Sequence, residues 1–372
     1  MALGTHAGKL ERWLGRESVE LLSERMRTWY GPPIAVGGVP GKVFVHGGGD
    51  FRGPLVEGGF VSALDLAESA ARRVLSAARQ LARNHLGANM AISNFDGVVA
   101  ALAGGNRRDF FFNKTGATGV TAVTNSLWGL ANQPAAGANA SNAPGGDAPT
   151  DATTGAPLFT NPASGTQHIV NAWAHASVAG NNILVYDRIF QVNKTMNSTA
   201  TEAVTGVPSR YQGTTGGDPD SAEGNFLFVE VGGTALAGTA HNWTTCLYTD
   251  QSGNTNATLP SLTGVSGAIV RRLDHPIGQW FAPLASGDTG IQKLDQMQCS
   301  AAVATGVINF VIGHPLIFVP CPAANMVCMV DGLNTAASLV RVFDDAALAL
   351  LEVMKPSTTA TNYNVQVVTA IG

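Results

Sequence analysis

The most suggestive chemical motif in this sequence is a glycine run that follows a short apolar stretch. Residues Val43 to Val45 lead into His46-Gly-Gly-Gly49, a pattern with which esterases of the α/β-hydrolase class build an oxyanion hole from backbone N–H groups. Such an enzyme also needs a G-x-S-x-G elbow, and the nearest string is Gly264-Val-Ser-Gly-Ala268 in strand-like sequence. We therefore interpret the run as a glycine-rich turn and predict no catalytic residue.

A second group of residues could bind a cation. Asp218, Asp220 and Glu223 lie in one glycine-bounded acidic segment, and calcium prefers oxygen ligands of this kind. Their spacing does not match an EF-hand loop, so we favour a solvated turn and keep the three residues only as weak calcium candidates. The eight histidines are scattered and the four cysteines form no CxxC pair. The sequence predicts no cofactor, and reduced cysteines that pack as small apolar side chains.

Charge is scarce and unevenly distributed along the chain. Residues 1–89 carry 11 Lys/Arg and 8 Asp/Glu, whereas residues 90–372 carry 11 and 18. The longer part therefore has charges at about 10% of its positions, against about 25% in ordinary soluble domains. Because this part is poor in positive charge, we expect it not to bind nucleic acid. No apolar run approaches the ~18 residues of a membrane-spanning helix, so no membrane partner is expected.

The first part of the chain has helical periodicity. Apolar residues recur at helical spacing over residues 7–30 and again over 61–85, with a Gly/Pro-rich segment between. We predict a helical N-terminal extension over residues 1–89. It is either a processed or scaffolding-like segment, or upstream sequence joined by a misplaced start codon.

Residues 90–166 form an N-terminal segment that includes a low-complexity stretch. Residues 129–166 consist mainly of Ala, Gly, Pro, Asn and Thr and show no periodic apolar face. We predict an extended arm or a long ordered loop here. Four large aromatic residues are candidates for assembly contacts that anchor the arm on neighbouring subunits, namely Phe110, Phe111, Phe112 and Trp128. The alternative is that these four side chains pack in the core of their own subunit.

From residue 167 to residue 372 the apolar period is two and turn signals recur at short intervals. This pattern predicts a mainly β fold, an antiparallel β-sandwich of jelly-roll type. Residues 346–354 are ambiguous between helix and strand, and we assign them to a strand. The predicted strands cover residues 168–176, 182–192, 225–231, 243–249, 268–273, 279–284, 291–301, 306–314, 326–330, 346–354 and 363–369.

Several strings after Met90 carry a family resemblance. They include Met90-Ala-Ile-Ser-Asn-Phe-Asp-Gly97, Asp109-Phe-Phe-Phe-Asn-Lys114, Leu184-Val-Tyr-Asp-Arg-Ile-Phe190 and Ala285-Ser-Gly-Asp-Thr-Gly290. About three quarters of the chain resembles a family of tailed-bacteriophage virion structural proteins, and residues 1–89 lie outside the resemblance. The resemblance implies a virion component without catalysis, assembled in the host bacterial cytoplasm. Its expected partners are copies of itself and other virion proteins.

Three functional hypotheses follow from these observations. The leading one is a capsid or capsid-surface (decoration) protein that acts by self-assembly. The alternative is a receptor- or carbohydrate-binding module of a tail or adhesin, with a groove lined by aromatic residues such as Trp173, Trp243 or Trp280. The third is the esterase, which depends only on the run from His46 to Gly49.

Overall fold

The computed structural model describes residue 92 and residues 94–117, 120–332 and 339–372. The predicted helical extension and the run from His46 to Gly49 lie outside these residues. The described part forms one α-helix and seventeen strands. In chain order they are α1 (Phe95–Ala103), β1 (Arg107–Ala117), β2 (Asn125–Ser126), β3 (Asn132–Gln133), β4 (Gln167–Ala176), β5 (Asn181–Lys194), β6 (Glu202–Ala203), β7 (Phe226–Val231), β8 (Asn242–Trp243), β9 (Leu247–Asp250), β10 (Ala257–Thr258), β11 (Leu262–Thr263), β12 (Ile291–Met297), β13 (Ile308–Cys321), β14 (Val327–Asp331), β15 (Arg341–Val342), β16 (Leu348–Glu352) and β17 (Thr361–Ile371).

Two antiparallel sheets contain most of the long strands. The first sheet has the order β14–β4–β17–β1–β3, and β15 also pairs with β4. The second sheet has the order β2–β16–β5–β13–β7. Every ladder in both sheets is antiparallel, so the predicted mainly β, antiparallel class is confirmed.

The two sheets pack face to face around one apolar core. Phe112 of β1 and Tyr363 of β17 project from the first sheet into the same buried cluster as Val185 of β5 and Val319 of β13 from the second. All four side chains are almost completely inaccessible to solvent. Inward-facing residues of two opposed sheets that share one core define a sandwich, as the alternating apolar pattern predicted.

The strands on either side of the turn before Asn181 belong to different sheets. Both were predicted as strands, and both are: β4 pairs with β17 and β14, whereas β5 pairs with β16 and β13. The chain thus crosses from the first sheet to the second at this turn. The sequence is consistent with this, because β5 is buried on both faces: Val185 faces the sandwich core, and Tyr186 faces a second apolar cluster behind the sheet.

Eight strands of the sandwich pair in a nested order. Taken along the chain, β1 pairs with β17, β2 with β16, β4 with β14 and β5 with β13. The outermost pair joins the first and last strands of the described chain, and the innermost joins β5 to β13. The sandwich therefore begins at β1 and not at residue 167, because β1 pairs with β17 over most of its length.

The segment between β5 and β13 forms a second core. The two strands pair from Asn181↔Cys321 to Lys194↔Ile308, so their far halves extend beyond the sandwich. There, residues 195–307 add β7 to the second sheet and build a small sheet of order β10–β9–β12–β6. Trp243, Tyr248 and Phe310 are buried together in this second core.

Two predicted strands of this segment are not strands. Residues 268–273 and 279–284 lie along the second sheet without forming a ladder. The first stretch forms only isolated antiparallel bridges, Arg272 with Asn125 and Leu273 with Glu230. In the second, the Ala282 N–H donates a hydrogen bond to the Leu227 carbonyl. Leu273 and Ala282 are almost fully buried, so the apolar pattern of these stretches reflects burial and not a continuous ladder.

The helix α1 was not predicted, and a side-chain cap begins it. The Asn94 Oδ1 atom accepts a hydrogen bond of 2.9 Å from the Gly97 backbone N–H. Val98 and Ala101 then bury one face of the helix against Val170 and Ala370 of the first sheet. The cap and this small apolar contact together hold α1 beside β17.

Replacing Asn94 with alanine should therefore lower the free energy of unfolding by about 1 kcal/mol, because the Gly97 N–H in the first turn loses its side-chain acceptor. The measurement is urea unfolding followed by circular dichroism. Asn94→Asp is the matched control, since aspartate is an equally good cap and should leave the unfolding midpoint unchanged. Equal losses in both variants would contradict the capping role.

Candidate functional site

The run Phe110-Phe-Phe112 alternates between the inside and the outside of the sandwich. Phe110 and Phe112 are buried in the sandwich core, whereas 51% of Phe111 is exposed. This follows from strand geometry, because successive side chains of β1 point to opposite faces of the sheet. Of the three predicted contact residues in this run, Phe111 alone lies on the surface.

The fourth candidate, Trp128, is an anchor within its own chain. Its side chain is 3% exposed, and its Nε1 atom donates a hydrogen bond of 3.1 Å to the Ala138 carbonyl. The buried guanidinium of Arg188 lies 4.8 Å above the indole ring. Trp128 therefore attaches the low-complexity stretch to the second sheet, as the alternative interpretation of this residue proposed.

The low-complexity stretch is an ordered loop that packs on its own subunit. Beyond Asp187 the edge of β5 extends past its neighbour β16. Residues 141–147 of the loop lie beside this extended part of β5 and form hydrogen bonds with it. The Asp147 N–H donates to the Gln191 carbonyl at 2.8 Å, and the Asn193 N–H donates to the Ser141 carbonyl at 2.9 Å. Because these bonds hold residues 141–147 against β5, this part of the stretch does not project as an arm. The loop interpretation is the correct one here.

Phe111 lines a groove of about 660 Å³ along one edge of the first sheet. The groove is bounded by residues 108–111 of β1, residues 133–135 at the end of β3, and residues 156–160. Leu158 is 78% exposed on its wall, and Phe159 packs edge-on against Phe110 at a centroid distance of 5.0 Å. Polar and apolar groups contribute about equally to the lining of the groove, and it contains the one exposed candidate contact residue.

The opposite edge of the first sheet also exposes apolar side chains. On β14, Val327 and Met329 are 60% and 65% exposed. The alternate residues, Cys328 and Val330, face the sandwich core. The groove beside β1 and the cleft next to Trp128 do not involve residues of β14. We therefore treat the β1 groove as the candidate functional site.

The three acidic residues of the segment from Asp218 to Glu223 do not converge on one point. Asp220 Oδ1 accepts a hydrogen bond from the Tyr211 backbone N–H at 2.9 Å, and this fixes its carboxylate to the neighbouring turn. Within the described residues no group of three or more His, Cys, Asp or Glu side chains converges on one point. Asp218, Asp220 and Glu223 therefore share a turn but are not brought together as ligands.

A buried histidine–aspartate pair lies in the second core and was not predicted. The His241 Nε2–H donates to Asp274 Oδ2 at 2.9 Å, and its Nδ1–H donates to the Thr239 carbonyl at 3.0 Å. Trp243 Nε1 donates to the same Asp274 oxygen at 2.7 Å. Burial lowers the pKa of His241, but the hydrogen bond and charge of Asp274 outweigh burial and raise it. The pair is a structural cross-link, since both ring nitrogens are occupied.

A second set of buried charges connects the strands of the second sheet. Arg188 of β5 and Glu230 of β7 are joined by two hydrogen bonds, at 2.5 and 3.2 Å. Arg210 donates to both carboxylate oxygens of Asp187 at 2.7 and 2.8 Å. The partners lie dozens of residues apart in sequence, so no local spacing could have predicted them.

The three tryptophans proposed for a sugar-binding groove lie in different environments. Trp243 is 1% exposed within the second core. Trp280 packs edge-on against Phe226 at a centroid distance of 5.3 Å, behind the second sheet. Trp173 lies on β4 of the first sheet, opposite Met329 of β14. Trp243 cannot line a surface groove, because its ring is fully covered.

The cysteines agree with the prediction of reduced core residues. All four are free, and three are buried, namely Cys246, Cys299 and Cys321. Burial raises the pKa of the Cys246 and Cys321 thiols to about 11. At neutral pH these thiols are therefore protonated and poorly nucleophilic.

Comparison with known proteins gives no relative for this chain. No family model, curated protein or solved structure matches it. None of the helices in the part of the chain that the structure describes is long and apolar enough to cross a membrane.

Proposed function

We propose that this chain is a non-enzymatic structural component of a tailed-phage virion, a capsid or capsid-surface (decoration) protein that acts through contacts between subunits. The proposed partners are copies of itself and other virion proteins, and the proposed location is the virion. The observation that carries the proposal is the nested pairing of the eight sandwich strands, together with the family resemblance of the sequence after Met90.

Nested pairing supports the jelly-roll assignment of the sandwich. A jelly roll is an antiparallel ribbon, folded into two sheets, in which the first strand pairs with the last and each inner strand with its counterpart. The pairs β1–β17, β2–β16, β4–β14 and β5–β13 follow this order. On this assignment, residues 195–307 are an insertion between the two innermost strands. Viral capsid domains are one of the main users of the jelly roll.

The inside of the sandwich also supports a structural role. Jelly rolls that bind small molecules or metals need polar residues or space between their sheets. Here the interior is filled by Phe110, Phe112, Ile183, Val367 and their apolar neighbours, all buried. Because apolar side chains fill the space between the two sheets, we assign the proposed function to the surface of the sandwich.

The surface suits contacts between subunits. Residues 90–372 carry few charges, so bringing two such surfaces together desolvates few ions. Exposed apolar residues are found at both edges of the first sheet, with Phe111 and Leu158 at one and Val327 and Met329 at the other. Apolar residues on exposed sheet edges are typical of interaction surfaces.

Quantitative mass spectrometry of purified particles of the phage that encodes this chain tests the proposal. We expect many copies of the chain per particle, and peptide coverage will show whether the mature protein begins at Met1, at Met90 or at a cleavage site. In parallel, sedimentation velocity of the purified chain should show oligomers at rising concentration. Absence from the particle, or a monomer that turns over a small substrate, would contradict the proposal.

A further inference from the structure

The backbone of β1 has unused hydrogen-bonding groups along the groove. In the ladder with β17, Ile371 N donates to Asn106 O, so Asn106 faces β17. Antiparallel ladders alternate, and the register from Arg107 to Asn113 is unbroken, so Asp109 and Phe111 direct their N–H and C=O groups away from β17. Within the described residues these groups have no backbone partner.

The short strand β3 shows where such a partner binds. It pairs with β1 only at Asn113 and Lys114, and then the chain turns away. The described residues leave the edge from Arg107 to Phe112 open over about 17 Å, the length of a strand of about five residues. Both faces of β1 line the groove, since Arg108 and Phe111 point to opposite sides of the sheet. Only a groove that runs along the edge itself can touch both faces.

The walls of the groove favour a peptide over a second sandwich. Residues 133–135 and 156–160 line the groove together with residues 108–111 of β1. Because these segments flank β1, we infer that a single extended strand can enter the groove where the flat edge of a second sheet cannot. Phe111 and Leu158, both largely exposed, provide apolar contacts for its alternate side chains.

The groove is lined by one basic residue, Arg108, and one acidic residue, Asp109, and of the two it is Arg108 that lacks a partner within the described part of the chain. Its Nη1 atom is buried and has no hydrogen-bond partner among the described residues. The neighbouring Arg107, in contrast, is exposed and forms two hydrogen bonds of 2.9 Å with Asp109. A buried guanidinium nitrogen without an acceptor is costly, and a carboxylate is the acceptor that best satisfies it.

We propose that this groove binds an extended peptide segment of a neighbouring polypeptide, apolar at alternate positions and carrying a carboxylate that meets Arg108. The segment adds to the first sheet as a strand beside β1 and bonds to the backbone of Asp109 and Phe111. The geometry of the groove defines this ligand chemistry, while the identification of the donor as a virion protein rests on the proposed function.

Selection from a phage-displayed library of random dodecapeptides on the purified full-length chain tests the inference. We expect the enriched peptides to share alternating apolar residues and at least one Asp or Glu. Their affinities are then measured by fluorescence anisotropy with synthetic, labelled copies. Enrichment of no peptide, or of basic peptides only, would overturn the inference.

Two adjacent arginines give a matched pair of variants. Arg108→Gln should weaken binding of an enriched peptide by about tenfold or more, because a hydrogen bond to a charged group is lost. Arg107→Gln removes an arginine outside the groove but frees the Asp109 carboxylate that it pairs with, so it should weaken binding clearly less than Arg108→Gln. Equal effects of the two substitutions would show a general response to charge and would overturn the role of Arg108.

A second pair separates backbone pairing from apolar contact. Phe111→Ala removes the ring but keeps the N–H, whereas Phe111→Pro also removes the N–H that points into the groove and is tolerated at a sheet edge. We expect Phe111→Pro to weaken binding clearly more than Phe111→Ala, with both variants keeping the wild-type circular dichroism spectrum. Peptide binding that is insensitive to Phe111→Pro would overturn strand addition. The particle measurement tests the proposed function separately, so either idea can fail alone.

Discussion

Replacing Glu230 with glutamine is expected to lower the free energy of unfolding by about 3–5 kcal/mol, because a buried guanidinium loses its counter-ion. Arg188 has no exposed surface and is held between Glu230 and Gln191, with Trp128 above it. Glutamine has nearly the same shape as glutamate, so the loss reports on charge and not on packing. Denaturant unfolding of the wild type and the variant measures it.

The double variant Arg188→Met with Glu230→Met is the control for this prediction. Both charges are then absent and the space is filled by apolar side chains, so much of the lost free energy of unfolding should return. A cost of less than about 1 kcal/mol for Glu230→Gln alone would mean that solvent reaches Arg188. In that case the second sheet would not depend on the pair.

Acidification from pH 6.5 to pH 4 should destabilise the protein strongly. Burial lowers the pKa of His275 and of His314 to about 4, so in the folded state both rings stay mostly neutral until the pH approaches 4. The unfolded chain binds a proton at each histidine below its ordinary pKa of 6.5, so the free energy of unfolding falls with pH. The loss approaches about 3 kcal/mol for His275, and less for His314, which keeps some solvent contact.

A hydrogen bond requires the neutral form of His275, and burial favours the neutral form of His314. His275 Nε2 accepts a hydrogen bond of 2.9 Å from the Val229 backbone N–H, and this is possible only without a proton there. His314 stacks on Tyr211 at a centroid distance of 3.8 Å, and its Nδ1–H donates to Asn225 Oδ1. Folding therefore selects the neutral form of each ring.

Thermal unfolding at a series of pH values, compared between the wild type and the double variant His275→Gln with His314→Phe, isolates this effect. The variant should lose much less stability between pH 6.5 and pH 4, whatever its stability at neutral pH.

His241 does not interfere in this window. Its raised pKa means that its contribution is fully present below pH 6.5 and is lost only as the pH rises through the folded-state pKa. Parallel pH profiles of both proteins would contradict the prediction.

Strand positions could be predicted wherever a strand is apolar and bounded by turns. The ranges 168–176, 225–231 and 363–369 each lie within or beside an observed strand, and 346–354, which was ambiguous, contains β16. The side chains of β7 alternate as predicted, but between two buried clusters: Leu227, Val229 and Val231 face the second core, and Phe226 and Phe228 face the cluster behind the second sheet. Its length and apolar content predicted the strand correctly, while both of its faces are covered by other parts of the chain.

The strand β1 and the groove beside it could not be predicted in the same way. Three consecutive phenylalanines conceal the alternation that the strand imposes, and residues 94–117 contain several charged and small residues. The walls of the groove come from residues 133–135 and 156–160 in low-complexity sequence. Phe111 was a contact candidate only because it is a large aromatic residue. Nothing in the local sequence pointed to Arg108, because what distinguishes it is a buried Nη1 atom without a hydrogen-bond acceptor among the described residues.

The sequence by itself determined the class of this protein: many short apolar strands, turns rich in glycine and asparagine, reduced cysteines and an exterior with few charges. These are local or compositional properties, and they do not depend on which residues become neighbours in the folded structure. Only the tertiary structure decided that the first and last strands pair, that Arg188 meets Glu230, and that one edge of β1 stays open. Such features depend on hydrogen bonds and ion pairs between residues far apart in the chain, and the choice among many competing partners is made by packing of the whole molecule.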